Sequence, residues 1–461
     1  MSLTPELRAA LTHCLGEAGV VCENTVLMSH AGDWSEAPHV PPTLLLLPRS
    51  PDQVAQVLAL CTKHRAPVVV QGGLTGLAGG ATPQAAEIAL SLKRLNHIEA
   101  IDAVGGTATV QAGVVLEELQ RCVAAQGWSF PLDLGARGSC QLGGNAATNA
   151  GGNRVIRYGT MRELVHGIEV ALPDGRLLTM LGRVTKNTTG IDLKHLFIGS
   201  EGTLGVITRL VLKLAPLPGA TNTALCALPS FEAATRLVHE LRRALPGLSA
   251  FEVMWDNFMD AALAVGQLRL PFDEPAPVYA LVELQGQNEG EDRARLEAVL
   301  GEALEHGTVS DVVVAQSLED ANRLWAYREA IGEMLGQIQP HAAFDIGIPM
   351  AEMAGFVGVV REALQLRFPQ QQHLFFGHIG DGNLHVLSGP HTTQAALHEV
   401  ETVVYDAVRQ VGGSVSAEHG IGVIKRPFLA HSRSATEIDT MRQLKTVFDP
   451  AGILNGGRVF H

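Results

Sequence analysis

The chain has 461 residues, of which 46% are hydrophobic and 18% charged, so it can form two or three domains with sizeable cores. Its formal net charge of −13 argues against nucleic acid as a partner and against a basic membrane-binding face. The six cysteines include no C-x-x-C pair, which is typical of reduced thiols. The sequence contains no signal-peptide pattern and no apolar run long enough for a transmembrane segment, so we expect a cytoplasmic protein.

The first 40 residues are predicted to be mostly helical, and a strand–helix–strand pattern follows them. Residues 43–47 form the first strand, Ser50-Pro51-Asp52 opens the helix, and Val68-Val69-Val70 form the second strand. A glycine-rich loop, QGGLTGLAGG at residues 71–80, comes directly after that strand. Loops of this kind let a phosphate approach the backbone, because side chains are absent and successive N–H groups face the anion.

A second glycine-rich stretch follows a group of short strands and a helix at about residues 116–126. Residues 131–161 are rich in Gly, Asn and Ser and have almost no helical or strand periodicity, which is typical of a binding loop. The sequence then predicts a hairpin with an Asp174-Gly175 turn and a strand pair interrupted by glycine at residues 196–218.

The two glycine-rich loops together favour a large dinucleotide. The first loop lacks the Lys of a P-loop and does not match the Rossmann fingerprint, and alone it could serve an ordinary turn. A second loop as long as Gly135–Gly159 strengthens the argument. Its neutral side chains could hydrogen-bond a ribose or an isoalloxazine ring; they are Ser139, Asn145, Thr148 and Asn149.

Beyond Pro216 and Pro218 the pattern changes to strands and helices that alternate up to about residue 390. This pattern indicates an α+β domain with an antiparallel sheet under helices. Its most informative stretch is FFGHIGDGNLHV, residues 375–386, which reads as a hairpin that holds His378 and His385. Such a pair is either hydrogen-bonded in a core or on a rim, or it binds a metal.

The segment SAEHGIG at residues 416–422 favours the metal. It supplies Glu418 and His419, and two histidines with one carboxylate and open positions for substrate form a standard set for a divalent cation. The last part of the chain is predicted to hold helices at residues 394–411 and 434–448.

Six segments, taken in their order and spacing, resemble one family. They are QGGLTGLAGG, PLDLGARGSCQLGGNAATNAGGNRVIRYGTM, LFIGSEGTLG, GHIGDGNLH, EHGIGVIKRPFL and FDPAGILN. The family is that of the FAD-linked D-2-hydroxy-acid dehydrogenases of the vanillyl-alcohol-oxidase superfamily, with its hydroxyglutarate and lactate branches. The resemblance covers roughly residue 40 to the C-terminus.

This resemblance implies an α+β architecture with three parts. Residues 1–218 would form a two-lobed FAD-binding domain of the vanillyl-alcohol-oxidase (PCMH) type. Residues 219–415 would form a ferredoxin-like antiparallel substrate domain, or cap. Residues 416–461 would be a partly helical C-terminal segment that completes the active site and packs back on the FAD domain.

The resemblance also implies the residues that bind FAD. Some relatives attach FAD through a histidine of the first loop, and because this loop has none we expect non-covalent FAD. The predicted cofactor-binding residues are Gln71, Gly72, Gly73, Leu74, Thr75, Gly76, Leu77, Gly138, Ser139, Gly143, Gly144, Thr148, Asn149, Gly151, Gly152, Ile207 and Asn455.

By the same resemblance, His378, His385 and Glu418 are the ligands of a divalent metal, zinc or a similar ion. The metal would lower the pKa of a chelated substrate hydroxyl, as it does for water, and His419 would act as general base. The C2 hydride would go to the flavin and leave a 2-oxo acid. Arg328, which alone could be a surface ion-pair residue, would clamp the substrate carboxylate.

The expected substrate is a D-2-hydroxy acid similar to 2-hydroxyglutarate. The hydroxyglutarate enzymes carry a Lys, a polar residue and an Asn where this chain has Ala343, Gly332 and Leu387, so D-lactate or a less polar acid is the alternative. A flavin oxidase without metal dependence and a non-catalytic electron-transfer subunit are further alternatives. We find no nicotinamide site, so we expect an acceptor such as an electron-transfer flavoprotein, a quinone or a cytochrome, and we allow for a homodimer.

Overall fold

The computed structural model describes residues 3–460, so residues 1, 2 and 461 of the predicted outer segments lie outside it. Its α-helices are α1 (Pro5–Leu15), α2 (Asn24–Met28), α3 (Pro51–His64), α4 (Leu116–Ala124), α5 (Leu142–Ala147), α6 (Val155–Tyr158), α7 (Met161–Leu164), α8 (Lys194–Phe197), α9 (Phe231–Ala244), α10 (Asp256–Gly266), α11 (Glu289–Glu305), α12 (Leu318–Glu329), α13 (Ile331–Gln337), α14 (Met353–Arg367), α15 (Gln394–Gln410) and α16 (Ala435–Phe448). No helix in this part of the chain has the length and hydrophobicity needed to cross a membrane.

The strands are β1 (Val20–Val21), β2 (Leu44–Leu46), β3 (Val68–Gln71), β4 (Ile88–Ser91), β5 (Ile98–Asp102), β6 (Thr107–Gln111), β7 (Trp128–Ser129), β8 (Val165–Ala171), β9 (Leu177–Met180), β10 (Val206–Lys213), β11 (Ala215–Pro216), β12 (Ala220–Leu228), β13 (Leu248–Trp255), β14 (Val278–Gly286), β15 (Asp311–Val314), β16 (Ala342–Gly347), β17 (Gln372–Gly377) and β18 (Asn383–Gly389). Three short 3₁₀ turns, at Glu17–Gly19, Ile379–Asp381 and Arg426–His431, complete the regular structure of the described residues.

The chain divides into two compact units. Unit 1 consists of the residues up to Gly151, Gly159–Leu217 and the residues from Glu418 onward. Unit 2 consists of Gly152–Tyr158 and Pro218–Ala417. The first boundary was predicted after residue 218, and unit 1 is interrupted after Leu217. The second boundary was predicted after residue 415, and unit 2 ends at Ala417. The sequence did not predict that the short segment Gly152–Tyr158 belongs to unit 2.

Unit 1 contains two main sheets. The first has the order β1-β2-β4-β3, in which β2, β4 and β3 run parallel. Strand β2 is a run of three fully buried leucines, as expected for a parallel strand covered on both faces. The second sheet is antiparallel, with the order β5-β6-β10-β8-β9.

The C-terminal segment adds to the first sheet of unit 1. Leu454 forms a parallel bridge with Val68, and the N–H of Asn455 donates to the carbonyl of Val68 at 2.9 Å. The edge of the sheet beside β3 therefore consists of residues from the opposite end of the sequence.

Unit 2 is built on one seven-stranded antiparallel sheet with the order β15-β12-β14-β13-β17-β18-β16. Its first four strands, numbered by sequence, have the order 4-1-3-2 of a ferredoxin-like fold. The sheet packs against helices through an apolar cluster that includes Met254, Phe258, Leu281, Met334 and Phe376.

Three predicted elements differ from the structure. Among residues 3–40 the α-helices are the short α1 and α2, and Gly32 and the prolines near residue 40 disfavour a further helix. The second glycine-rich stretch contains the short helices α5, α6 and α7. In the predicted strand pair at residues 196–218, the end of helix α8 and a turn replace the first strand, and the long strand β10 and the two-residue strand β11 follow.

Candidate active site

A cleft of unit 1 begins where strand β3 ends. Residues 72–76 of the first glycine-rich loop line it on one side, and residues of α5 and β10 line it on the other. A Cβ at Gly73 would lie 2.1 Å from the carbonyl oxygen of Ser139, so the first loop packs directly on the backbone of the second. A Cβ at Gly144 would meet no protein atom within 4 Å, so this position faces open space in the cleft. The two loops thus form one cradle with bare backbone on its walls, which suits a large cofactor that contains phosphate.

Asp33 holds the far end of the first loop. Its Oδ1 accepts hydrogen bonds from the Thr82 hydroxyl at 3.1 Å and from the Ser35 hydroxyl at 2.5 Å. Its Oδ2 accepts from the Ala81 N–H at 3.3 Å. The carboxylate lines the cleft and is only 5% exposed, so it fixes the loop from a stretch without regular secondary structure.

Glu201 fastens the returning C-terminal segment to the same cleft. Its two carboxylate oxygens accept the N–H groups of Ile421 and Gly422 at 2.7 and 2.8 Å. Burial raises the pKa of Glu201, although these two N–H groups oppose the shift. His419, two residues before Ile421, is therefore carried on an anchored loop and lines the cleft.

Asn455 closes the cleft beside β3. Its Oδ1 accepts the N–H of Val70 at 2.9 Å, and its Nδ2 donates to the carbonyl of Glu201 at 2.6 Å. The residue has a left-handed backbone with φ of 43°, a conformation that asparagine tolerates better than most residues. One side chain thus joins the parallel sheet, the Glu201 turn and the C-terminal tail.

In unit 2 the two histidines lie on the predicted hairpin. His378 follows strand β17 and His385 lies within β18, with their rings 5.2 Å apart and nearly perpendicular. One nitrogen of each ring lies within 4.8 Å of the other. Neutral imidazoles in this arrangement have the donor chemistry of a divalent-metal site.

His378 is oriented by a residue that the sequence did not single out. Its Nδ1 lies 2.6 Å from Oε1 of Glu252, a side chain on β13 with no exposed surface. Burial alone would raise the pKa of Glu252, but the electrostatic interactions and hydrogen bonds with His378 and Arg328 outweigh it and lower this pKa. The carboxylate can only accept, so Nδ1 carries the proton and the ring lone pair lies on Nε2, the nitrogen with the chemistry of a metal ligand.

Arg328 on α12 is buried, contrary to a surface ion pair. Its Nε donates to Oε2 of Glu252 at 2.9 Å, and its guanidinium lies 4.6 Å from the ring centroid of Phe376. Within the described residues its two terminal amino groups have no hydrogen-bond partner in unit 2. They can therefore bind a carboxylate in the forked geometry that arginine favours.

Comparison with known proteins assigns the family. Residues 217–459 match the family described as FAD linked oxidases, C-terminal domain, and residues 42–181 match the FAD binding domain family. The chain is 40% identical over 440 residues to a D-2-hydroxyglutarate dehydrogenase of Xanthomonas citri pv. viticola, a match that covers 94% of this chain and 92% of the relative. The mitochondrial D-2-hydroxyglutarate dehydrogenase of Arabidopsis thaliana is 39% identical over 448 residues, 96% of this chain and 80% of the relative.

The chain belongs to the family of FAD-linked D-2-hydroxy-acid dehydrogenases. It is an FAD-linked oxidoreductase, as the sequence motifs predicted. A putative mitochondrial D-lactate dehydrogenase of Schizosaccharomyces pombe is also 39% identical over 433 residues, with coverage of 92% of this chain and 82% of the relative.

Solved structures confirm the predicted fold. The structure of p-cresol methylhydroxylase with substrate bound aligns with a TM-score of 0.79 at 16% identity, over 98% of this chain and 96% of that one. Alkyldihydroxyacetonephosphate synthase aligns with a TM-score of 0.77 at 19% identity, over 99% and 86%. At these identities the likeness concerns the fold alone.

Within this family member, most of the predicted FAD-binding residues line the cleft of unit 1. They are Gly72, Gly73, Leu74, Thr75, Gly76, Gly143, Gly144, Thr148, Ile207 and Asn455. Sequence reasoning did not identify Asp33 and Glu201, which line it as well. The one sequence feature that marks Asp33 is that it is an acidic residue in a stretch without helical or strand periodicity, which alone does not indicate a binding site.

Seven predicted residues are not part of this lining: Gln71, Leu77, Gly138, Ser139, Asn149, Gly151 and Gly152. Gln71 is fully buried, and its amide group binds His30 and the carbonyl of Ala81 behind the loop. The side chain of Asn149 accepts hydrogen bonds from Thr160 and Arg162. These residues support the cradle, while Leu77 is exposed and Gly152 lies in unit 2.

Proposed function

We propose that this chain oxidises a D-2-hydroxy acid to the 2-oxo acid and passes the electrons to an acceptor other than NAD. FAD, bound without a covalent link in the cleft of unit 1, would accept the C2 hydride. The family assignment supports an FAD-linked dehydrogenase. The substrate, the metal and the electron acceptor are proposed in addition.

We propose that His378, His385 and Glu418 hold a divalent metal, with zinc as the first candidate. The support within unit 2 is the His378–His385 pair and the position of Ala417. The N–H of Ala417 donates to the carbonyl of Asp345 at 3.2 Å, and Asp345 is the strand partner of His385. Glu418 is the next residue along the chain. The metal would bind the substrate hydroxyl and lower its pKa.

His419 and Arg328 take the two other roles. His419 removes the hydroxyl proton, a role supported by its position on the lining of the cofactor cleft. Arg328 binds the substrate carboxylate, supported by its burial and its unused terminal amino groups. Together they hold the acid by its carboxylate and remove the proton from its hydroxyl.

One observation favours a substrate less polar than 2-hydroxyglutarate. Ala343 and Leu387 are direct partners on β16 and β18, two residues along the strands from the Asp345–His385 pair. Leu387 is 2% exposed and belongs to the apolar cluster with Leu374 and Met334. Ala343 is exposed, and neither Ala343 nor Leu387 offers a cation or a hydrogen-bond donor side chain to a second carboxylate.

The test is dye reduction by the purified, FAD-loaded protein with matched substrates. D-2-Hydroxyglutarate and D-2-hydroxyvalerate have the same chain length and differ in a terminal carboxylate or methyl group. D-Lactate and the L-isomers complete the panel. We expect activity with D-acids only, and a higher kcat/KM with hydroxyvalerate would establish the less polar alternative.

The metal is tested by exhaustive treatment with EDTA, measurement of bound metal and re-addition of Zn²⁺. We expect activity and bound metal to fall together in wild type and in His385→Ala. His398→Ala is the control, because this histidine of unit 2 is largely exposed on α15. Full activity after metal removal and in His385→Ala would overturn the metal-assisted mechanism. The acceptor, a cytoplasmic location and a homodimer stay predictions.

A further inference from the structure

Glu252 is a buried carboxylate whose two oxygens are used by two different predicted site residues. Oε1 lies 2.6 Å from Nδ1 of His378, and Oε2 lies 2.9 Å from Nε of Arg328. The partners are 126 and 76 residues away in sequence, and the carboxylate between them has no exposed surface. A charge buried to this extent is costly unless it is paired and hydrogen-bonded, and here both conditions are met.

We propose that Glu252 is a positioning residue that orients His378 and Arg328 as one unit. By accepting from Nδ1 it sets the tautomer of His378 in which the lone pair lies on Nε2, the nitrogen that would bind the metal. By accepting from Nε it leaves the two terminal amino groups of Arg328 for the substrate carboxylate. This inference rests on the proposed function, because it links the metal ligand to the carboxylate clamp.

Phe376 contributes the second fixed contact of the same unit. Its ring lies 4.6 Å from the Arg328 guanidinium and 4.9 Å from the His385 ring. Phe376 is itself packed against Phe258 at 4.5 Å in the apolar cluster. Glu252 therefore binds the Nε edge of the Arg328 guanidinium, and Phe376 packs over one face of it. The two terminal amino groups form the end that would bind a carboxylate.

Glu283 on the neighbouring strand provides a matched comparison. It is also buried, at 3% exposed, and forms an ion pair with Arg154 at 3.0 Å and a hydrogen bond with Ser249 at 2.8 Å. None of these partners is a predicted metal ligand or substrate contact. Glu283 thus has the same burial and the same kind of ion pair as Glu252, without the histidine.

We expect Glu252→Gln to weaken both metal binding by His378 and substrate binding by Arg328. The glutamine amide can accept from one partner only and presents a donor to the other, so His378 and Arg328 cannot both keep their orientation. Replacing the hydrogen-bond partner of a metal-bound histidine lowers metal affinity about 10- to 100-fold. Because the guanidinium is misoriented as well, we expect KM for the hydroxy acid to rise by a similar factor.

The experiment compares wild type, Glu252→Gln and Glu283→Gln. Zn²⁺ affinity is measured by competition with a chromophoric chelator, KM by dye reduction, and folding by thermal unfolding. The proposal requires weaker Zn²⁺ binding and a raised KM in Glu252→Gln, with Glu283→Gln close to wild type in both. A folded Glu252→Gln with wild-type Zn²⁺ affinity and KM would overturn it and leave Glu252 as a structural residue.

Two outcomes distinguish a failure of the proposed Glu252 role from a failure of the proposed metal-assisted function. If wild type itself binds no Zn²⁺, the metal-assisted function fails and this inference fails with it. If wild type binds Zn²⁺ and only Glu252→Gln is unaffected, this inference alone fails. Should Glu252→Gln not fold, the double variant Glu252→Met/Arg328→Met removes both buried charges, and it must still show the loss of Zn²⁺ affinity because His378 has lost its acceptor.

Discussion

Arg458 and Glu87 form a two-pronged ion pair inside unit 1, with nitrogen–oxygen distances of 2.6 and 2.7 Å. Arg458 is 1% exposed, and its guanidinium also donates to the carbonyls of Gly80 and Thr82. Because Gly80 ends the first glycine-rich loop and Thr82 lies just beyond it, the ion pair joins the C-terminal tail to the loop that lines the cleft.

We predict that Arg458→Met lowers the free energy of unfolding by about 3–5 kcal/mol, because the buried Glu87 carboxylate loses its only cationic partner among the described residues and keeps the Gln84 N–H alone. Urea denaturation of the apoprotein measures the loss, and FAD titration should show weaker binding. The double variant Arg458→Met/Glu87→Leu should recover part of the stability. Arg176→Met is the control: its pair with Asp174 is largely exposed, so we expect a change below about 1 kcal/mol. Equal, small losses in both arginine variants would contradict the prediction.

The second prediction concerns the path of FAD along α5. Gly144→Ala places a methyl group where no protein atom lies within 4 Å, so the fold should keep its stability or gain up to about 1 kcal/mol from the better helix former. FAD should bind at least about tenfold more weakly, because the methyl group occupies the cleft. Thermal unfolding without FAD and a titration with FAD measure the two effects.

Gly301→Ala is the matched control for Gly144→Ala. Gly301 lies in helix α11 of unit 2 and also has no protein atom near its added Cβ, so this variant should gain the same stability without a change in FAD affinity. Gly73→Ala should differ from both, because its Cβ would meet the Ser139 carbonyl oxygen at 2.1 Å and the loop must move. Wild-type FAD affinity in Gly144→Ala would show that the cofactor does not pass this residue.

The third prediction is an acid sensitivity of unit 2. His373 and His391 share the hydroxyl of Ser388 at 2.9 and 2.8 Å, and all three side chains are buried. Burial lowers the pKa of His373, as does the charge of His391, although the Phe368 carbonyl opposes this shift. Burial alone lowers the pKa of His391. Both rings therefore stay neutral in the folded state at pH values where an exposed histidine, with a pKa near 6.5, is charged.

The sign follows from proton counting. Below about pH 6.5, His373 and His391 bind more protons in the unfolded chain than in the folded one. The free energy of unfolding therefore falls as the pH falls below about 6.5, and the contribution of the two neutral histidines is fully present above that pH. The slope is at most about 1.4 kcal/mol per pH unit for each histidine. Urea unfolding at pH 5.5 and 7.5 should show a smaller pH difference in His373→Gln than in wild type. His398→Gln, at an exposed site, should retain the wild-type difference.

Local signals predicted a large part of the fold. Ser50 accepts the Gln53 N–H and caps α3 as the Ser-Pro-Asp pattern indicated, and the hairpin of β17 and β18 is present with both histidines at its turn end. The order of six motifs predicted the family. These features share one property: each depends on residues close together in the sequence.

The features that were missed depend on distant residues. Asp33 pairs with Thr82, 49 residues away, from a stretch in which no helical or strand periodicity marks it. Glu252 lies in a strand whose eight residues are all buried, so its pattern indicates a covered strand and not which carboxylate meets a histidine. Short-range periodicity reports which face of an element is covered, and it carries no information on which distant polar groups become partners.

The hydrogen bond from the Val70 N–H to Asn455 spans 385 residues and has a consequence for how the protein is made. On the ribosome, the contiguous Pro218–Ala417 stretch of unit 2 is translated in full before the last residues of unit 1 exist. Unit 2 can thus mature during synthesis, while the cradle must wait for the tail. A stable cleft then requires a polypeptide that extends at least to Asn455, and one interrupted shortly before it would combine a formed unit 2 with an open cleft.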